Sequence, residues 1–446
     1  MKWHFLNKVI DEALRAGAQE AEIYFIQSKG ITIEVKDKET EAFESFDESG
    51  YGLRIIKDGK VGFSYSTQEE QFKGVISKAL ASSKYVATQE ENKLPKRNNK
   101  IFHDDVEIFD KKINLLTPKD AFEKVLSMER SALKEKYVNR VRKAVGSFYE
   151  SSTFIKNSLG IEDSFKSTEA VAKILLVAEN GQESYTGWDF EANRFIDNID
   201  FEQIGITASK RATSMFGARK ISSLKGYVVL DSISAINFLT LMSSSFSSDS
   251  VQKGRSILKG KIGEKIISDK IDIIDSANKK GLIGTRPFDA EGLYTGETVV
   301  IEKGYLKSFL YNSYTASREG VQSTGNAVRA GFKSLPLVGI NNLYLKASDA
   351  TQVLSKDEII KAIDRGVYVT EILGMHTTNP ITGDFSVGIS GLWIQKGGFI
   401  HPFKEAVISG NIFKLFNKVA LIGDDLKFYG NIGAPTLLIE QIDINA

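Results

Sequence analysis

Few side chains in this sequence could carry out a reaction, and their types narrow the chemistry at once. There is no cysteine, which removes thiol nucleophiles, cysteine-held zinc, iron–sulfur clusters and disulfides together. The imidazoles are His4, His103, His376 and His401. A catalytic metal site needs about three converging side-chain ligands. None of the four stands in a His-x-x-x-His or His-Glu-x-x-His pair. His376 and Asp384 are close enough in sequence to meet in a folded loop, although each also reads as an ordinary surface or structural residue.

Serine chemistry is no better marked. Ser250-Val-Gln-Lys253 has the Ser-x-x-Lys form, but Ser131–Lys134, Ser222–Lys225 and Ser256–Lys259 share it, so the spacing is background. The Ser-Asp-Asn and Lys-Thr-Gly companions are missing, and so is a Gly-x-Ser-x-Gly elbow. Lys259-Gly-Lys-Ile-Gly-Glu264 lacks the Gly-Lys-Ser/Thr order that cradles phosphates. The basic stretch Lys134 to Lys143 is interleaved with Glu135 and valines, as in a solvated face. Two loops concentrate glycines and small hydroxyls: Ser323-Thr-Gly-Asn-Ala-Val-Arg-Ala-Gly331 and Thr377-Thr-Asn-Pro-Ile-Thr-Gly-Asp-Phe-Ser-Val-Gly388. Such segments bring backbone N–H groups close to a ligand, or form tight turns.

These groups must be positioned by an ordinary globular chain. Its 446 residues suggest more than one domain, 42% apolar residues allow substantial cores, and the formal charge of +1 argues against nucleic acid as main partner. No apolar run approaches a membrane span, and Lys2 and Lys8 interrupt any signal-like start, so the expected location is cytoplasmic. A helix over Phe5–Leu14 ending at Gly17, strands Ala21–Ile26 and Ile31–Lys36, and a hairpin of Tyr51–Ile56 with Val61–Tyr65 about Asp58-Gly59 open the chain. A helix from about Glu69 to Ser83 follows, then an exposed loop over Ala87–Lys100. Thr117-Pro118 opens a helix to about Lys136, strands run from about Val141 to Val177, and Asp200 caps a helix over Phe201–Phe216. Past a boundary near 220, Tyr227–Leu230 is a strand, Asp231-Ser232 caps a helix to about Ser243, and the remainder is glycine-rich and β-rich. The expectation is an α+β fold of two domains, 1–220 and 221–446, with mixed or antiparallel sheets flanked by helices. A recurring turn before glycine, at Asp58-Gly59, Lys303-Gly304 and Lys396-Gly397, reads as hairpin chemistry.

Several blocks closely resemble the TldD/PmbA family: Ser243-Ser-Ser-Phe-Ser-Ser-Asp-Ser-Val-Gln-Lys-Gly-Arg-Ser256, Gly260-Lys-Ile-Gly-Glu264, Ser323-Thr-Gly-Asn326, Asn379-Pro-Ile-Thr-Gly-Asp-Phe-Ser-Val-Gly388, Ile408-Ser-Gly-Asn411 and Gly433-Ala-Pro-Thr436. The first helix and hairpins resemble the family's N-terminal half, so the resemblance covers most of the chain. It implies one of two branches. TldD-type subunits carry a His-Glu-x-x-x-His helix and a C-terminal cysteine as zinc ligands; PmbA/TldE-type subunits lack them and pair with a TldD-type chain. Here the motif window falls on Leu239-Thr-Leu-Met-Ser-Ser244, with Leu239, Thr240 and Ser244 at the three key positions. The cysteine segment is absent between Gly423 and Gly433. Leucine offers no lone pair, and threonine is no general base for a metal-bound water.

The resemblance therefore implies a non-catalytic, PmbA/TldE-like subunit of a metallopeptidase that acts on small or unfolded peptides. It holds no cofactor of its own, and the zinc belongs to a TldD-like partner, with a homodimer as the alternative assembly. Thr377, Thr378, Asn379, Gly383, Asp384, Phe385 and Ser386 would line the path of an extended peptide. Two rival readings remain: a stand-alone regulatory protein, following the family's older label of DNA gyrase modulator, and a hydrolase with a site around His376 and Asp384.

Overall fold

The computed structural model describes residues 2–97 and 106–446; His103 and the end of the expected 87–100 loop lie outside the described residues. The chain opens with α1 (Lys2–Arg15), whose Leu6, Val9, Ile10 and Ala13 form the buried stripe that their spacing predicts, and Gly17 ends it at φ 103°. Strands β1 (Glu20–Lys36), β2 (Glu39–Lys57) and β3 (Lys60–Ser66) follow, then α2 (Phe72–Ser83) and α3 (Lys111–Asn114). The Thr117 hydroxyl and the Asp120 carboxylate form a capping box at the start of α4 (Pro118–Ala132). Next come β4 (Val138–Asn157), β5 (Glu162–Glu179), β6 (Ser184–Asn193) and α5 (Phe201–Thr213), whose cap Asp200 accepts from Gln203 N at 2.9 Å.

These six strands make one antiparallel sheet in the order β3-β2-β1-β4-β5-β6. Odd residues of β1, such as Ile23 and Phe25, face α1 and α2, and Ile33 and Val35 face α4. Even residues at its start, Tyr24 and Ile26, face Phe288, Leu293 and Ala327. The beginning of β1 is thus buried on both sides, Glu22 included, so Ala21–Phe25 has no exposed face.

The rest comprises β7 (Leu224–Leu230), α6 (Ser232–Ser243), α7 (Ser248–Gln252), β8 (Ile271–Ser276), β9 (Glu297–Glu302), β10 (Tyr305–Leu306), α8 (Ser313–Glu319), β11 (Ala327–Val328), β12 (Leu337–Val338), β13 (Leu343–Ala347), β14 (Val353–Leu354), α9 (Lys356–Lys361), β15 (Arg365–Leu373), β16 (Asp384–Gln395), β17 (Gly398–Asn411), α10 (Ile412–Phe416), β18 (Val419–Gly423), β19 (Lys427–Tyr429), β20 (Ile432–Ala434) and β21 (Leu437–Asn445). One sheet runs β10-β9-β8-β13-β20-β19, and a second runs β14-β18-β21-β17-β16-β15-β7. Because β7 pairs with both β15 and β21, five strands of the second sheet close into a ring. The α+β fold with mixed sheets is what the sequence predicts.

Four buried charges join the two parts. Arg54 donates to Glu22 Oε2 at 2.7 Å and to Glu291 Oε1 at 2.9 Å, and Arg329 pairs with Glu22. Glu291 also accepts from Ser313 N at 2.8 Å and Ser313 Oγ at 2.6 Å. Two carboxylates against two guanidinium groups leave the cluster neutral, the condition under which buried ions are tolerated.

Several local expectations need correction. The two expected strands over 21–36 are one, because pairing with β2 and β4 continues through Gln27–Gly30. The helix expected to reach Lys136 ends at Ala132. Strand β6 and the first half of β2 went unread because neither is a simple apolar alternation. Within the 87–100 loop, Asn92, Leu94 and Pro95 are buried rather than exposed: Glu20 accepts from Leu94 N at 2.6 Å and Pro95 O accepts from Asn157 at 2.8 Å.

Candidate functional site

Strand β7 delivers Asp231 to the start of α6, where Oδ1 accepts from Ser234 N at 2.7 Å. Burial pushes the Asp231 carboxyl up from its ordinary range. The sequence Ile233, Ala235, Ile236, Phe238, Leu239 and Met242 is buried almost all round, so α6 lies inside the C-terminal core. Leu239 is 0% exposed and packed there. Thr240 is exposed and gives its hydroxyl to Ile236 O at 2.8 Å. Ser244, also exposed, gives its hydroxyl to Leu241 O at 3.2 Å and comes within 3.5 Å of Pro380 O. The three positions point to different environments and offer one hydrocarbon and two hydroxyls. Among the described residues no group of three or more His, Cys, Asp or Glu side chains could hold a metal ion. This donor set does not fit zinc.

The expected 377–388 loop sits over the end of this helix. Gly374, at φ 83°, turns the chain out of β15, and one short turn over Met375–Thr377 follows. Asn379 then organises the bend. Its Oδ1 accepts from Ile381 N at 2.9 Å and Thr382 N at 3.2 Å, while its own N–H donates to Asp384 O at 2.9 Å. Gly383 has φ 78°, and a Cβ there would meet Ile412 Cγ2 at 2.8 Å, so the position demands glycine. Thr377 donates to Gly374 O at 2.8 Å, and the buried Thr378 donates to Met375 O at 2.6 Å.

Asp384 begins β16. Asn411 donates to its Oδ1 at 2.9 Å and Thr382 to its Oδ2 at 2.7 Å, and these bonds hold its carboxyl below the usual range. Phe385 is 6% exposed and meets Phe238 of α6 edge-on at 5.1 Å, so its ring anchors the loop to the helix. Ser386 Oγ lies 2.8 Å from Ser409 Oγ on an exposed face. Thr377, Asn379, Asp384 and Ser386 thus offer accessible polar groups, whereas Thr378, Gly383 and Phe385 hold the loop in shape.

A cleft of about 200 Å³ opens beside this loop, lined by Phe385, Ser409, Gly410, Asn411, Lys414, Leu415, Lys418, Ile442 and Asp443. It exists because β17 pairs with β21 at Val407 and Ile408, leaving Ser409–Asn411 without a β21 partner. Lys414 and Lys418 are its cations and were not singled out by sequence. Asn411, which caps α10 by accepting from Phe413 N at 3.1 Å, and the buried Ile412, Phe413, Leu415 and Phe416 are the signal that turns Lys414 outward. Exposed Ile381 on this loop and Leu373 at the end of β15 add apolar surface. The site offers backbone groups, small hydroxyls, a carboxylate and ammonium groups.

His376 is exposed and makes no hydrogen bond to Asp384 among the described residues, so the two do not form an acid–base pair. His401 Nδ1 lies 2.8 Å from Pro402 O, and His4 is exposed on α1. The other glycine-rich loop, 323–331, is structural. Ser323 Oγ donates to Tyr311 O at 3.1 Å, and Asn326 donates to Asp275 Oδ2 at 2.6 Å and to Gly339 O at 2.9 Å. Asp275 is buried beneath it, pushed up to about 6 by desolvation that Asn326 and Asn341 only partly offset.

The sequence matches three models of one family: the PmbA/TldA metallopeptidase domain 1 over residues 21–83, the central domain over 111–216 and the C-terminal domain over 224–446. It is 32% identical to an uncharacterized protein of Methanocaldococcus jannaschii, over 99% of this chain and 100% of that one. It is 28% identical to a protein named as a metalloprotease PmbA homolog from Buchnera aphidicola, over 95% of this chain and 92% of the other. In fold it is similar to a crystal structure described as a DNA gyrase modulator from Thermotoga maritima, with a TM-score of 0.90, 26% identity and 100% of each chain covered.

Proposed function

Because the chain belongs to the PmbA/TldD metallopeptidase family, we propose that it is the non-catalytic, PmbA/TldE-like subunit of a peptidase working in the cytoplasm. A TldD-like partner would supply the zinc and the general base. This chain would supply one wall of the path taken by a small or unfolded peptide. The observation that carries the reading is the helix α6, where Leu239 is buried in the core and Thr240 and Ser244 replace the other motif groups. A metal-bound hydroxide has no ligands to form on there.

The 377–388 loop supports the second half of the proposal. Its accessible hydroxyls and the edge of Ser409–Asn411 that β21 leaves open suit an extended backbone better than a compact ligand. The lysines at 414 and 418 suit a peptide carboxylate. Exposed Leu373 and Ile381 belong to the surface offered to the partner. Association is tested by native mass spectrometry of the chain mixed with a TldD-like subunit from the same source. The expected product is a one-to-one assembly that Ile381→Glu weakens. Separate chains at every concentration tried would count against the proposal.

A further inference from the structure

The first half of β2 is built unlike any other strand in the molecule. Every residue from Glu39 to Glu48 is exposed on both faces, so this arm of the hairpin stands clear of the core while the β1 arm beside it keeps Ile33 and Val35 buried against α4. On one side it pairs with β1 along its whole length. On the other, β3 begins pairing only at Tyr51. Near Gly50 and Gly52 the ring and backbone of Phe332 lie against the strand, and Lys333 reaches Glu48 at 3.3 Å. What remains is an outer edge from Glu39 to Asp47, roughly 30 Å long at the usual rise per residue, with no strand beside it among the described residues.

That edge has a definite chemical character. It carries Glu39, Glu41, Glu44 and Asp47 and no basic residue. Glu41 lies 3.5 Å from Lys36, while Glu39, Glu44 and Asp47 have no ion pair among the described residues. Phe43 and Phe46 are 46% and 39% exposed, and strand alternation puts them on opposite faces. The chain as a whole is nearly neutral, so this concentration of carboxylates is local. Edge charges also discourage pairing between like edges, since a second copy would place carboxylate against carboxylate. The same charges favour a strand of opposite sign, because opposite charges across an antiparallel pair attract and like charges repel.

We infer that the Glu39–Asp47 edge of β2 is a docking site for a basic, extended polypeptide segment, which adds to the sheet as a seventh strand. Backbone hydrogen bonds to the open edge supply binding that is indifferent to sequence. Lysines or arginines opposite Glu39, Glu44 and Asp47 supply selectivity, and apolar side chains between them cover Phe43 and Phe46. This goes beyond the subunit reading and does not depend on it, because no metal, partner chain or cleavage is involved.

The test uses the full chain and three fluorescent unstructured peptides that differ only in carrying Lys, Ser or Glu at matched positions on both strand faces. Fluorescence anisotropy at low salt measures binding, and amide hydrogen exchange locates it. The Lys peptide is expected to bind, and exchange is expected to slow across 39–47. E39K/E44K/D47K should weaken binding by about tenfold or more, with the milder E39Q/E44Q/D47N between it and the parent. The Glu peptide should not bind. The inference is overturned if the Lys peptide does not bind, if it binds without slowing exchange at 39–47, or if both variants bind it as the parent does.

Discussion

Leu239, Thr240 and Ser244 decide between a catalytic and a supporting role, and the first of them can be tested directly. Leu239 is a core residue, so Leu239→Ala should destabilise the chain by roughly 2–5 kcal/mol, seen in urea denaturation. Leu239→His should also destabilise, and should bring no metal with it, since among the described residues no set of ligands is gathered to hold one. Asp384 makes a prediction about pH. Its folded carboxyl is held below the ordinary 3.8 by Asn411 first and Thr382 second. Its contribution to stability is therefore fully present above the unfolded value and is lost as pH falls through the lower folded one. Asp384→Asn should lower stability most at neutral pH and progressively less as pH falls through the acid range; a difference between the two proteins that does not shrink toward acid pH would contradict the assignment.

Helices and hairpins were the most legible elements, because their signals are local. Asp231, Asp200 and Thr117 cap the helices their positions predict. The three recurring turns share one backbone form: Asp58 and Gly59, Lys303 and Gly304, and Lys396 and Gly397 all have φ between 47° and 77°. Their likeness is turn chemistry. The β1–β2 turn uses the same form without glycine, at Asp37 and Lys38, and is steadied by the buried Glu129 accepting from Lys38 N at 2.8 Å. A contact with a residue so distant in sequence is invisible beforehand, and the exposed arm of β2 beyond it carries no apolar alternation to read. Glycine substitutions separate conformation from packing. Gly181 and Gly304 both have positive φ, but a Cβ at 181 meets nothing, whereas at 304 it would lie 2.4 Å from Ile267 O. Gly181→Ala should cost about 1–2 kcal/mol for its conformation, and Gly304→Ala measurably more, in the same denaturation assay.

At the scale of the whole molecule, the two loops rich in glycine and hydroxyls could not be told apart by sequence. One is consumed by Asp275 and Asn341 beneath it and the other lies open over α6, and that difference depends on strands far away in the chain. The buried cluster Glu22–Arg54–Glu291–Arg329 was equally hidden, since its members come from four separate segments. It predicts that the two parts unfold together. Arg329→Met should cost about 3–5 kcal/mol by leaving Glu22 with one partner. Trp3 and Trp188 report the first part and Trp393 the second. Single-tryptophan versions should show coincident transitions in the parent and separated ones in the variant.

The central claim is that this chain supports a peptidase without performing the cleavage itself. The most direct measurement is metal content and cleavage of an unstructured peptide, made on the purified chain alone and mixed with a TldD-like subunit from the same source. The account predicts a metal-free, inert lone chain, and a mixture that binds about one zinc and cleaves faster than the partner alone. A lone chain that holds stoichiometric metal and cleaves peptide, with contaminating proteases excluded, would contradict it.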